Sequence, residues 1–188
     1  MNYIEFTDYW INNDTIIIKP KFNDNIDSID FNNNIISLVF TNHIIIECAI
    51  KSLDNDEYYK DNNYFISKFN QSVDNLSQSI LNLTFGNNFN QNIDNLPQNL
   101  KNLTFGEEFN ETVDNLPIQI QNLTFSYEFN QTVDNLQSSL INLTFGTEFN
   151  QTVDNLPLGL LNLTLPKKYN KEIKNIPLDL KKIYCSSL

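Results

Sequence analysis

The chain has 188 residues, enough for one elongated domain, and carries a net charge of −11 with a pI near 4.3. Its content of 40% hydrophobic and 12% aromatic residues excludes disorder by composition for most of the sequence. The acidic balance argues against nucleic-acid binding, which needs a basic patch, and the twelve positive residues are all Lys, so no arginine can clamp a phosphate.

Targeting and catalytic features are missing from the sequence. Residues 1–5 have no basic start and no apolar segment, which predicts no signal peptide, and no apolar run approaches the length of a transmembrane helix. Cys48 and Cys185 lie far apart and predict no disulfide framework, while His43 is the sole histidine and has no partner pattern. We expect an intracellular, cytoplasmic protein without catalytic residues, cofactor, bound metal or membrane contact.

Residues 1–64 do not carry a regular repeat and are predicted to form an irregular N-terminal cap. Isoleucine-rich runs at 16–18 and 35–40 are typical of strands. Residues 22–40 resemble a degenerate repeat lengthened by two residues, and 41–64 would form a second irregular coil with surface loops. Such a cap would cover the exposed end of a repeat array.

Residues 65–165 consist of five regular repeats with a period of 20 residues. An aromatic column marks the register without a slip: Phe69, Phe89, Phe109, Phe129, Phe149 and Tyr169. A fixed period of this length is typical of stacked repeats, in which neighbouring units bury an apolar side that one unit cannot bury alone.

Within one repeat, Leu103-Thr104-Phe105 alternates as a strand with one buried face does. The rest of the repeat is rich in poor helix formers such as Gly106 and Asn110, and Pro117 stands where a helix would have to continue. We therefore predict a mainly β solenoid with a parallel sheet, one short strand per 20-residue coil, and a turn-rich return arm with a corner at Asp114.

Two polar columns accompany the apolar ones. We predict that one is a structural ladder whose amides satisfy backbone groups in the turns: Asn70, Asn90, Asn110, Asn130, Asn150 and Asn170. The other is a column of acids that must face water or bind cations: Asp74, Asp94, Asp114, Asp134 and Asp154. Turn capping is the favoured interpretation of these acids, and a calcium-stabilised structural solenoid is the alternative.

Residues 166–188 form a lysine-rich end to the array and are predicted to be a C-terminal capping repeat. This segment holds half of the lysines: Lys167, Lys168, Lys171, Lys174, Lys181 and Lys182. A charged cap that blocks further edge pairing is favoured over a membrane- or acid-binding patch, because no amphipathic helix accompanies the lysines.

The run Phe-Gly-x-x-Phe-Asn-Gln, followed by an Asn-Leu-Pro corner, resembles the FNIP repeat, a short repeat of the leucine-rich class found in social amoebae and in giant viruses of amoebae. The resemblance covers about residues 65–180, and Phe145-Gly-Thr-Glu-Phe149-Asn-Gln151 is among its clearest copies. It implies a leucine-rich-repeat-like arc. Many members carry an F-box and act as ubiquitin-ligase substrate adaptors, but residues 1–68 show no F-box helix pair, so that role is kept only as an alternative.

Function should lie in the positions that vary between copies, because the fixed columns are explained by stacking. The varying columns lie directly before the strand and in the loop after it. We expect a non-enzymatic, monomeric interaction solenoid that presents its strand face and adjacent loops to an unknown protein partner. The predicted partner surface comprises Lys101, Glu107, Glu108, Gln121, Tyr127, Glu128, Ile141, Thr147 and Leu161.

Overall fold

The computed structural model describes residues 4–5, 9–12, 15–19, 22–24, 26, 35, 37–40 and 67–186. His43, Cys48 and the surface loops expected within 54–63 lie outside these residues.

One sheet of ten strands contains every strand of the described chain, in sequence order. The strands are β1 (Ile4–Glu5), β2 (Tyr9–Asn12), β3 (Thr15–Ile18), β4 (Ser37–Phe40), β5 (Asn82–Thr84), β6 (Asn102–Thr104), β7 (Asn122–Thr124), β8 (Asn142–Thr144), β9 (Asn162–Pro166) and β10 (Lys182–Ser186). The pairs from β3 to β10 are all parallel, whereas β1, β2 and β3 pair antiparallel. The antiparallel start was not foreseen from the sequence.

Parallel pairing in the array keeps the 20-residue register. Leu103 lies opposite Leu83 on one side and Leu123 on the other, so equivalent residues of successive coils stack directly. Leu103 is buried and its neighbours Asn102 and Thr104 are half-buried, as expected for a strand with one face on the core. The predicted mainly β, leucine-rich-repeat-like solenoid is confirmed.

Strand β4 pairs directly with β5, although 45 residues separate Ser37 from Asn82. Residues 41–64, for which a second irregular coil was expected, lie outside the described residues. Phe40 stacks on Phe69 with 4.1 Å between ring centroids, as Phe85 does on Phe89 at 3.7 Å. The ring stacking of the regular coils is therefore present between Phe40 and Phe69 as well.

The core is built from two phenylalanine columns that stack within and between coils. Within a coil the rings of Phe105 and Phe109 are 3.7 Å apart. Between coils, centroids in the column of Phe105 are 5.5–5.6 Å apart, against 6.1–6.2 Å in the column of Phe109. Since paired strands are only about 4.8 Å apart, the coils spread away from the sheet, and the sheet lies on the concave side of an arc.

The return arm of each coil is extended and contains two turns. In the central coil the turns fall at residues 114–115 and 118–119. The second turn is closed by the N–H of Ile120, which donates to the carbonyl of Pro117 at 3.2 Å. The predicted turn-rich arm and its corner are confirmed, because Asp and Asn favour the first turn and proline fixes φ ahead of the second.

Candidate interaction surface

Two amide ladders hold the coils in register along the solenoid. On the sheet, each strand asparagine donates its amide to the side-chain oxygen of its equivalent one coil earlier, as Asn122 does to Asn102. Beyond the sheet, the side-chain oxygen of Asn90 accepts the backbone N–H of Asn110 at 2.9 Å, and the same bond recurs along the column. The predicted structural ladder of asparagines is confirmed, and it fixes the positions from which the variable side chains project.

The glutamine that follows this asparagine is structural as well, which sequence reasoning missed. The amide of Gln131 donates to the backbone and side-chain oxygens of Asn110, at 2.9 and 3.2 Å, and Gln151 makes the same pair of bonds to Asn130. Asn23 extends the pattern into the first coil, since its side-chain oxygen accepts the backbone N–H of Asn70 at 2.9 Å.

The aspartate column is tied to the following coil in the same manner. One carboxylate oxygen of Asp94 accepts the amide of Asn115 at 3.0 Å, and this bond recurs from Asp74 to Asp134. Each coil contributes one acid, and in the described residues no three His, Cys, Asp or Glu side chains cluster as metal ligands. The contacts show that these acids take part in turn and ladder hydrogen bonds.

Hydrogen bonds lower the pKa of two acids in this column. The Asn92 amide, and then the Asn115 amide, hold the pKa of Asp94 below its ordinary value of 3.8, and Ser72 followed by Asn95 does the same for Asp74. A lowered folded-state pKa stabilises the fold above the unfolded-state value, and this contribution is lost as the pH falls through the folded-state value.

We therefore expect the free energy of unfolding to decrease between about pH 5 and pH 3, and to decrease less in Asp94→Asn. Both carboxylates are almost fully solvated, so screening keeps each contribution small. Urea unfolding of both proteins at the two pH values measures the difference. Parallel losses in the two proteins would show that this column does not couple stability to pH.

Both variable columns lie on backbone that continues the parallel pairing beyond the strands. Ahead of the strands, the N–H of Ile141 donates to the carbonyl of Gln121 at 2.8 Å, and Leu161 donates likewise to Ile141. In the loops, the N–H of Glu128 donates to the carbonyl of Glu107 at 2.9 Å, and Glu148 donates to Tyr127 at 3.0 Å. The side chains of each column are thus held side by side at the spacing of the coils.

The structure places the predicted surface residues in two rows that flank the strands. The row before the strands has an exposed Lys101, followed by half-buried Gln121, Ile141 and Leu161. The row after the strands has a half-buried Thr147 and exposed Glu107, Glu108, Tyr127 and Glu128. Tyr127 is the largest apolar side chain in these rows and is 49% exposed.

Charge changes sign along the row after the strands. Glu107, Glu108, Glu128 and Glu148 occupy three successive coils, and Lys167 with Lys168 occupies the next, all exposed. On the adjoining strand, Lys182 lies over the ring of Tyr184, with its ammonium 5.8 Å from the ring centroid. The concave side is therefore acidic at its middle and basic at the β10 end.

A third row of exposed apolar side chains was not anticipated from the sequence. Ile118, Leu158 and Leu178 occupy the turn before the strands and are 66%, 80% and 100% exposed. The three residues directly follow Pro117, Pro157 and Pro177. At the same position the other coils have Gln78, Gln98 or Ser138. The recurrence of an apolar residue at this position in three coils was the feature of the sequence that could have revealed the row.

Comparison with known proteins supports this fold. The sequence profile of the FNIP repeat matches residues 69–108 and 93–127. A giant-virus protein of known structure, CroV588, described as a novel circular LRR protein, is similar at 29% identity and a TM-score of 0.56 over 94% of this chain. The chain spans 31% of the length of that protein. No curated protein sequence matches.

Families of such repeat solenoids are generally non-enzymatic, and the fold is consistent with a protein-interaction scaffold. The described part of the chain contains no helix that is both long and apolar enough to cross a membrane.

Proposed function

Because this chain carries FNIP repeats on a leucine-rich-repeat-like solenoid, we propose that it is a non-enzymatic scaffold that binds a protein partner on its concave strand face and the loops beside it. The observation that carries the proposal is the contrast between the columns that face the core, which stay the same, and the surface columns, which vary. The regular coils keep the same buried columns, while the rows of Tyr127 and Ile141, exposed or half-buried, change from coil to coil. A rigid row of differing side chains is what a selective protein surface requires.

Three side chains supply the apolar part of this surface. Tyr127 projects from a loop that is hydrogen-bonded to both neighbouring coils, and Ile141 with Leu161 lies before two adjacent strands. A rigid aromatic residue beside aliphatic ones is a common anchor in protein interfaces, because such side chains bury large area at little conformational cost. The polar residues around them would contribute the rim.

Tyr127→Ala combined with Ile141→Ala should reduce partner capture about tenfold or more, because two anchors of the interface are truncated. The measurement is quantitative mass spectrometry of proteins retained from native cell extract by the immobilised chain. The matched control is Ile118→Ala with Leu158→Ala, which removes two exposed apolar side chains from the turn ahead of the strands, outside the proposed surface. Retention of the same partners by both double variants, with similar melting temperatures, would place the binding surface elsewhere.

A further inference from the structure

Resting on that proposed function, we propose that the concave surface selects an extended protein segment by the order of its charges. The segment would place basic residues beside Glu107 and Glu108, an apolar residue over Tyr127, and acidic residues beside Lys167 and Lys168. The loop row would thus determine both the kind of partner and its orientation along the solenoid axis.

The first support is that the loop row is a fixed array. Glu108, Glu128 and Glu148 each donate a backbone N–H to the loop of the preceding coil, at 2.9, 2.9 and 3.0 Å. Neighbouring loops are therefore held about 4.8 Å apart, the spacing of paired backbones. The backbone positions that carry these acidic side chains therefore keep a constant spacing along the coils.

The second support is that these charges are available. Within residues 67–186, the ion pair that forms is between Lys174 and Asp154, at 4.0 Å in another column, and none engages Glu107, Glu108, Lys167 or Lys168. All four side chains are exposed. Lys181 and Lys182 extend the basic end onto the strand edge, where both are exposed.

The third support is that the dimensions suit an extended chain. Three steps between coils separate the loop of Glu107 from the loop of Lys167, which is about 14 Å. An extended chain covers that distance in about four residues. The 49% exposed Tyr127 lies within the same interval, so an apolar residue of the segment would meet its ring, and Glu128 and Glu148 continue the acidic part of the row up to the lysines.

Exposed charges contribute little binding energy individually, but they discriminate strongly between orientations. In the favoured orientation each end of the segment meets an opposite charge, and in the reversed orientation each end meets a like charge. The charge order should therefore govern selectivity, while Tyr127 contributes affinity.

A random-peptide selection on the immobilised 188-residue chain tests this directly. The matched variant exchanges both ends at once: Glu107→Lys, Glu108→Lys, Lys167→Glu and Lys168→Glu, which leaves the net charge unchanged. We expect the original chain to enrich peptides with basic and acidic residues about four positions apart in one consistent order. The exchanged variant should enrich the reverse order, and each protein should bind its own peptides about tenfold more tightly than the reversed ones.

Enrichment of uniformly basic peptides would overturn the proposal, since it would reflect only the net negative charge of the chain. An unchanged charge order in the exchanged variant, or no enrichment at all, would overturn it as well. The wider interaction role has a separate test. If Tyr127→Ala with Ile141→Ala weakens peptide binding, the proposed surface is correct. If the exchanged variant still enriches peptides with the same charge order, the charge selection is wrong even so.

Discussion

Phe109→Ala should lower the free energy of unfolding by about 3–5 kcal/mol, the usual range for truncating a fully buried phenylalanine. The Phe109 side chain has no exposed surface and stacks on Phe105 in its own coil and on Phe89 and Phe129 in the adjacent coils. Its loss opens a cavity at two interfaces between coils, and solenoid stability depends on those interfaces. Urea unfolding followed by circular dichroism measures the change.

Tyr169→Ala is the matched control for this prediction. Tyr169 occupies the same column, but it stacks on Phe149 at 6.1 Å and is half-buried. We expect it to destabilise the chain much less than Phe109→Ala does. Equal losses for both variants would mean that the stacked aromatic column does not carry the stability of the central coils.

Gly146→Ala should have the second-largest effect, because no space exists for the added methyl group. A Cβ atom on Gly146 would lie 1.5 Å from the carbonyl oxygen of Ser126 in the preceding coil. The loop backbone must therefore move, and strain of this kind typically costs about 1–3 kcal/mol. Ser126 occupies the same column one coil earlier, which shows that a loop can adjust, so we expect lower stability rather than failure to fold.

Gly159→Ala provides a control with the same chemical change. The nearest atom to a Cβ on Gly159 is the carbonyl oxygen of Ser138 at 3.4 Å, an ordinary contact. In thermal unfolding, Gly146→Ala should have a lower melting temperature than the unsubstituted chain. The melting temperature of Gly159→Ala should be almost unchanged. Indistinguishable melting curves would show that close packing of the loops is not what requires glycine at 146.

Much of the fold could be predicted from the sequence because each coil repeats the same spacing of apolar and polar residues. Leu103, Phe105, Phe109 and Val113 recur at fixed spacing and all four are buried. A period of 20 with one alternating stretch permits little besides a stacked strand. The asparagine ladder followed from the same logic, since a buried or half-buried amide repeated in every coil must find partners in its neighbours.

The candidate surface could be predicted less fully. The sequence identified Tyr127, Ile141 and the loop acids as varying positions, because variation inside a repeat is visible without a structure. It did not predict that the backbone at these positions continues the pairing of the strands, which depends on contacts 20 residues apart. Nor was the exposed apolar row identified from the sequence, although Leu158 at 80% and Ile118 at 66% exposure belong to it.

The sequence by itself determined the repeat unit, its strand and its inner columns, because these follow from periodicity and residue preference within one coil. Only the tertiary structure decided how irregular segments enter the array. Strand β4 pairs directly with β5 of the regular array, and the antiparallel β1 and β2 begin the sheet. Pairing between strands far apart in sequence is set by shared core packing and backbone hydrogen bonds, which no local pattern encodes.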